Sequence, residues 1–455
     1  MSFSRFILQA AFCCAVLFQS FVVEAAPALD RRYGINGFAN LASAPGPDRV
    51  LAACPHPDGG TTLVALNESP RQLIVTRMRA DGQPDGSFGS GGSVVNAVDT
   101  VGDLGFLVDA SASVCIGSAT PDPADDRVVL AVTVGIISGN NPDTQTWLAR
   151  VDLATGLLDD GFGAQGVAQY NISAATAGAA RSEWVGGLNL GANGELLLLG
   201  HFEETFEFRD QDGMIARIGP NGALLASAYK PDAQRLTAAR MQGTAIQAMG
   251  DTPANRWLLL QLDGTSLATL AQSQGSTSGL RTYKGRNAGG GAMVVAARRD
   301  NFTPVLLVVR GDAVRELTLP EPPPIGGDAL MLMPFDTGAM ATGGAIGQVV
   351  YAAAARTSFQ IDSALYVAVV QLGDGADIPD AVETRFGTLG AASLRQQPSN
   401  WNCAASANQY LGGVVSVGTR HLVYGARTTT CNNEISGQAA MLNSDLDDLF
   451  SDSFE

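Results

Sequence analysis

The chain has 455 residues, 46% of them hydrophobic and only 16% charged, which excludes a disordered polymer and implies a large buried core. A formal net charge of −16 excludes a sequence-independent nucleic-acid binder, because no basic stripe is available to meet phosphate. The 53 glycines follow no collagen-like period and point to many tight turns.

Residues 1–25 read as a signal peptide. Arg5 supplies the positive start, Phe6 to Val23 is a nearly unbroken apolar run, and Val23-Glu24-Ala25 offers a cleavage site before Ala26. The expected destination is the periplasm, the cell surface or the medium. No later stretch reaches the roughly 18 apolar residues of a spanning helix, so no transmembrane segment is expected after cleavage. Of six cysteines, Cys13 and Cys14 fall in the leader, leaving Cys54, Cys115, Cys403 and Cys431. An even number in an exported protein predicts disulfides. Proximity favours Cys54–Cys115 and Cys403–Cys431, although the sequence leaves all three pairings open. A zinc site is disfavoured because no C-x-x-C pair is present.

From Leu29 onward a signature recurs: LDRRYGING (Leu29 to Gly37), PDGSFGSGG (Pro84 to Gly92), LDDGFGAQG (Leu158 to Gly166) and, more faintly, RFGTLG (Arg385 to Gly390). Between signatures lie short apolar runs. The first unit predicts strands at Phe38–Leu41, Val50–Cys54, Thr61–Ala65 and Gln72–Met78, with a hairpin at Pro57 to Gly60. Val128–Val134, Trp147–Val151, Gly194–Leu199, Met214–Ile218 and Met293–Ala297 follow. Almost no 3.6-residue periodicity appears, so helices should be scarce. The aromatic anchors Tyr33, Phe88, Phe162, Tyr229, Phe386 and Phe450, with decayed unit ends near Ala271 and Leu319, mark seven units of 42 to 74 residues. Each is long enough for about four short strands and cannot bury its own apolar face alone.

The fold predicted for residues 26–450 is therefore all-β, a β-propeller of seven blades with about four antiparallel strands each. Six or eight blades, or an open solenoid, are the alternatives. Closure is favoured because a signature stands at both ends, so a terminal strand can complete the last blade. Residues 451–455 form a short acidic tail.

TRMRADGQPDGSFG (Thr76 to Gly89) and ARVDLATGLLDDGFG (Ala149 to Gly163) resemble the delta-60 repeat family of exported bacterial proteins. The first third matches best, while the middle third loses both Phe-Gly and the acidic residue. That family has no shared catalytic residue, so the resemblance implies architecture and export only. The ending DLDDLFSDSFE resembles short acidic tails of some Gram-negative exported proteins, read either as a sorting tag or as a plain terminus.

Candidate chemistry is sparse. His56, His201 and His421 are far apart in sequence and form no H-x-x-x-H pair. No G-x-S-x-G elbow or Walker loop is present, and Gly289-Gly290-Gly291 reads as a hairpin. Two acidic loops, Asp122/Asp125/Asp126 and Asp374/Asp377/Asp380, offer carboxylates to a structural Ca2+ but lack the D-x-D-x-D-G cadence. Solvated turns are the expectation there. Glu203, Glu204 and Glu207 alternate with Phe202, Phe206 and Phe208, which fits a strand with one wet face better than a glycosidase pair. The signature residues Asp30, Asp85, Asp159 and Asp447 are expected to accept backbone N–H bonds and hold their turns, glycine supplying positive φ and the aromatic filling the gap between blades. Asn67, Asn171 and Asn301 stand in N-x-S/T triplets.

No catalytic, cofactor-binding or metal-binding residue is assigned, and no cofactor is expected. The expectation is a monomeric, non-enzymatic binding module for an unknown protein or glycan, with no nucleic-acid partner. The rival is a propeller enzyme, a glycan hydrolase or lyase or a cofactor-dependent dehydrogenase, with its site on the axial face. A plain structural spacer is the third reading.

Overall fold

Short Val-, Leu- and Ile-rich runs joined by tight turns pair with the run next in sequence, because that closes the smallest loop. The computed structural model follows this rule throughout. It describes residues 30, 32–34, 38–41, 48–68, 71–98, 106–117, 127–138, 141–177, 182–203, 211–288, 291–321, 330–340, 347–357, 363–373, 380–382, 391–394, 407–417, 420–429 and 434–443. Their strands form seven antiparallel sheets, the blades of a β-propeller.

Blade 1 runs Asp48–Pro55, Thr61–Glu68, Arg71–Met78, Ser93–Ala97 from first to fourth strand. Blade 2 follows with Phe106–Ile116, Arg127–Ser138, Asn141–Asp152, Val167–Tyr170. Blade 3 comprises Ser182–Leu190, Leu196–Glu203, Gln211–Ile218, Leu224–Lys230. Blade 4 comprises Arg235–Gln242, Ala245–Asp251, Trp257–Asp263, Thr269–Gln274. In blade 5 the strands are Leu280–Ala288, Ala292–Arg299, Pro304–Arg310, Ala313–Thr318. Blade 6 has Leu330–Met340, Gly347–Thr357 and Ser363–Leu372, the last paired with both Ala381–Val382 and Ala391–Leu394.

Blade 7 closes the ring. Ala407–Val417, Arg420–Thr429 and Glu434–Asn443 supply three strands, and the fourth is Phe38–Leu41 from the start of the chain, with Phe38 opposite Ala440. The Asp30 N–H adds a bond to Met441 O at 2.9 Å. Two strands about 400 residues apart in sequence thus share one sheet, which removes the open interface a linear stack would leave. Among the described residues the one α-helix is Ile172–Ala177. None of their helices is long and apolar enough to cross a membrane.

The signature performs a repeated interblade job. Each carboxylate accepts the backbone N–H two residues on: Asp30 from Arg32, Asp85 from Ser87 and Asp159 from Gly161, at 2.9–3.1 Å. The glycine after each aromatic has φ of 54–58°. Tyr33, Phe88 and Phe162 are buried, and each ring lies on a turn glycine of the following blade: Gly82, Gly156 and Gly222. A Cβ at Gly156 would stand 2.6 Å from the Phe88 ring, so only glycine fits. A third-strand arginine completes the contact. Arg77 stacks over Phe88 and donates to Leu153 O of blade 2; Arg150 stacks over Phe162 and donates to Pro220 O of blade 3. Arg217 reaches Thr265 O of blade 4 in the same way.

Blades 3 and 4 join differently from what the aromatic spacing predicts. Tyr229 is no anchor: it is 45% exposed on an outer strand. The turn closed elsewhere by aspartate and an aromatic is closed here by Lys230 and Ala233, with Ala233 N bonded to Lys230 O as Phe162 N is to Asp159 O. The missing ring is compensated from the other side. Leu267 occupies the place of the turn glycine, fully buried at φ of 60°, and the Lys230 ammonium holds its carbonyl. Large and small have exchanged sides of one interface, which preserves volume.

The first strands touch one another around the ring and line its axis. Each is broken by a bulge against its second strand, from Val50/Ala52 in blade 1 to Leu411/Gly413 in blade 7. A bulge bends the strand and re-aims side chains. Cys54–Cys115 is a disulfide, joining the first strands of blades 1 and 2 across a separation of 61 residues. Cys403 and Cys431 lie outside the described residues. Reduction of Cys54–Cys115, or Cys54→Ala with Cys115→Ala, is expected to cost about 2–4 kcal/mol. A melting temperature unchanged by reductant and by the double variant would show that the bridge adds nothing.

Candidate functional site

The C-terminal ends of the first strands converge at one end of the axis around a space of about 270 Å3. Blade 1 contributes Pro55, blade 2 Ser113, Val114 and Cys115, and blade 3 Leu188, Asn189 and Leu190. Arg286 and Asn287 come from blade 5; Val414, Val415 and Ser416 from blade 7. The space narrows inward to a neck of about 20 Å3 among Leu51, Ala112, Gly187, Lys284, Gly285 and Gly412, room for about one water. Glycines make the neck narrow. A Cβ on Gly412 would sit 2.2 Å from Val50 O, and one on Gly187 2.3 Å from Thr237 O, so adjoining strands approach more closely than any side chain permits.

Among the described residues the polar lining comprises Ser113, Asn189, Arg286, Asn287 and Ser416. Arg286 carries a fixed cation, Ser113 and Ser416 carry hydroxyls, and Asn189 spends its Oδ1 on the Ala239 N–H at 2.9 Å, directing its amide N–H groups elsewhere. Behind Ser416 stands His421, fully buried, with Nδ1 3.1 Å from the Ser416 hydroxyl. Burial pushes the His421 pKa down to about 4, so the imidazole is neutral at pH 7. The disulfide pins one wall, because Cys115 lines the space and Cys54 anchors it to blade 1.

The other histidines are elsewhere. His56 Nε2 lies 2.7 Å from Thr62 Oγ1 in blade 1's first hairpin. His201, in blade 3, stacks on Trp184 with ring centroids 6.2 Å apart and stands 3.6 Å from Glu203. Burial holds the His201 pKa below its usual value. For Glu203 burial acts upward, but His201 and the donating Gln211 amide outweigh it and the pKa is lowered. The three histidines therefore sit on separate blades with separate partners. Glu204 and Glu207 lie outside the described residues.

Among the described residues no group of three or more His, Cys, Asp or Glu side chains could hold a metal ion. Of the two acidic loops only Asp380 is described. It is buried and paired with Arg310 at 2.6 and 2.8 Å, and Gly373 N donates to it as well. Asp122, Asp125, Asp126, Asp374 and Asp377 lie outside the described residues, as does Asp447. The signature carboxylates serve the fold: Asp30 pairs with Arg32 and Arg420, and Asp159 with Arg127 and Arg150. Burial acts to raise both pKa values, but the arginines, preceded at Asp159 by the Gly161 N–H, outweigh it and both are lowered. The ion pairs of Asp159 link strands of blade 2 alone.

Two buried carboxyls had no signal in the sequence. Glu183 starts blade 3 and joins it to blade 2, accepting the Thr146 hydroxyl at 3.0 Å and the Ser173 N–H at 2.7 Å. Burial raises its pKa to about 7, against the lowering effect of those bonds. The folded state keeps a proton that the unfolded chain loses near pH 4.5, so this contribution is complete below that pH and is lost as pH rises through 7. Glu183→Gln is expected to match the parent at pH 4.5 and exceed it by roughly 3 kcal/mol at pH 9. Equal denaturation midpoints at both pH values would refute it. The second carboxyl, Asp251, is fully buried against Arg235 at 3.0 Å and accepts Thr282 N–H at 2.8 Å.

No family model and no curated protein matches the chain. Solved structures do resemble it. A puromycin hydrolase is 15% identical at a TM-score of 0.42, covering 87% of this chain, which spans about half (51%) of that one. The β-propeller domain of Myceliophteria thermophila Cps50 (Swd1) is 12% identical, TM-score 0.44, with 88% and 98% covered. The WD40 domain of SCAP from fission yeast is 10% identical, TM-score 0.42, with 89% and 87% covered. At such identities no activity transfers from any of them.

Proposed function

We propose that this chain is an exported, non-enzymatic binding module of delta-60 type that takes its ligand at the axial mouth. The observation that supports this reading is the mouth itself: a funnel with several polar side chains, assembled from the first strands of blades 1, 2, 3, 5 and 7 and braced by a disulfide. Concave, pre-formed spaces with a few convergent polar groups are where small ligands bind. The candidate partners are a glycan or a protein side group that enters the funnel. The test is a glycan and protein array probed with residues 26–455. Ser113→Trp and Asn287→Trp, each checked for an unchanged melting temperature, should abolish capture by filling the mouth. Leu270→Ser, on the exposed outer strand of blade 4, should not. Capture that survives both tryptophans would exclude the mouth.

An axial enzyme is the second reading, and the Ser416–His421 contact favours it. A base whose pKa is about 4 has little driving force to take a serine proton at pH 7, which weighs against it. A fluorophosphonate probe should leave Ser416 unlabelled; a stoichiometric adduct would reverse the order of the two readings.

A further inference from the structure

We infer that Cys115 is a thiol-exchange site reached through the axial mouth: a low-molecular-weight thiol attacks its sulfur, displaces Cys54 and stays in the mouth as a mixed disulfide. The inference does not depend on what else the mouth binds. The two halves of the bridge stand in different surroundings. Cys54 is 1% exposed, sits opposite Thr62 inside blade 1 and belongs to an apolar cluster with Ala52, Val64, Leu66 and Val128. Cys115 is half-buried, packs against that cluster and lines the mouth. Ser113, two residues earlier on the same strand, lines it too, as alternation along a strand requires of residues that share a face. A reagent in the mouth therefore meets one sulfur of the pair and not the other.

Access decides which sulfur is attacked in thiol–disulfide exchange, and the leaving sulfur governs the rate. The entering thiolate forms a bond to Cys115 Sγ, the Cys54–Cys115 bond breaks, and its electron pair leaves on Cys54 Sγ, which takes up a proton. The entering sulfur ends oxidised to the disulfide level and Cys54 ends reduced, so no further oxidant is needed. Cys54 leaves into an apolar setting that disfavours a thiolate, so exchange is slow and the bridge outlasts brief exposure to thiol. The freed sulfur stays close. Its strand is held by the pairs Ala53 with Leu63 and Pro55 with Thr61, and that of Cys115 by the pair Cys115 with Val128. The Cys54 thiol therefore stands beside the mixed disulfide and expels the adduct once external thiol is gone. Size selects the reagent. About 270 Å3 is just below the usual small-molecule range of roughly 300–1,000 Å3, so one small thiol fits and fills the space it entered.

Peptide mass mapping of the folded, disulfide-intact chain tests this, with Cys403 and Cys431 scored on their own peptides. After incubation with glutathione and an acid quench, the adduct should be on Cys115 and not on Cys54. Cys54→Ser, which leaves Cys115 without its partner, should take up glutathione from the oxidised form at least about tenfold faster than Cys115→Ser, because the Cys54 thiol reacts only after local opening. The Cys54→Ser adduct should persist when free glutathione is removed, whereas the parent chain should expel it and re-form the bridge. Ser113→Trp, at an unchanged melting temperature, should slow capture by Cys115 about tenfold or more. Reduced thioredoxin, too large for the mouth, should open the bridge no faster than glutathione; faster opening would overturn the small-thiol route. An adduct on Cys54, equal uptake by the two single variants, or capture indifferent to Ser113→Trp would overturn the assignment. Bridge opening only at the rate of global unfolding would overturn it equally. Should either single variant fail to fold, the adduct position in the parent chain still decides.

Discussion

Phe162→Ala is expected to lower stability by about 3–5 kcal/mol, the cost of emptying a close-packed aromatic site. The ring is fully buried, lies on Gly222 of the next blade and has the Arg150 guanidinium 4.8 Å from its centroid. Little can collapse into the gap, because both neighbours are constrained. Gly222 has no side chain and a φ of 82°, and Arg150 is held by Asp159 and by the Pro220 carbonyl. The loss should appear in chemical denaturation, and hydrogen exchange should quicken first in Val167–Tyr170 and Leu224–Lys230, the outer strands at that interface. Phe88→Ala should behave alike between blades 1 and 2. A loss below about 1 kcal/mol for Phe162→Ala would mean that the signature ring is not what joins the blades.

Asp251→Ala is expected to cost about 3–5 kcal/mol, the penalty for removing one partner of a buried ion pair. It strands the Arg235 guanidinium, bonded to both carboxylate oxygens at 3.0 and 3.1 Å, and takes away the acceptor of Thr282 N–H. Blades 4 and 5 share that acceptor, so the effect reaches beyond one sheet. Adding Arg235→Leu should recover part of the loss, because the expensive species is a guanidinium, only 19% exposed, that has lost its carboxylate. Burial acts to raise the Asp251 pKa and prevails over Arg235. Asp251→Asn should therefore cost less than Asp251→Ala, since the amide still offers an acceptor to Thr282. Two single variants with equal losses, unrelieved in the double, would refute the ion-pair account.

Blade 4 shows how far local pattern can be followed. WLLLQLDGTSLATLA reads as a strand, a turn and a strand, and it forms Trp257–Asp263 and Thr269–Gln274 as read. What the pattern hides is Leu267 at the glycine position. A leucine at positive φ is locally unfavourable and makes sense only in the buried cluster that it shares with the small Ala233. Tyr229 misleads for the converse reason: an aromatic at the right spacing is an anchor only if its strand turns it inward.

Within one repeat, periodicity and turn chemistry are local. The strand runs, the turn role of Asp30, Asp85 and Asp159 and a preference for seven units were readable in the sequence; the Cys54–Cys115 pairing was only favoured by proximity, with the other pairings left open. Arrangements that join residues from different repeats belong to the ring. Only closure brings Phe38–Leu41 against Glu434–Asn443, sets Arg286 beside Ser113 and Ser416, and places Glu183 and Asp251 where water cannot reach them. A chain encodes its blades by short-range hydrogen-bonding and burial patterns. Its axial mouth arises from the common curvature of all seven, and no single segment records that.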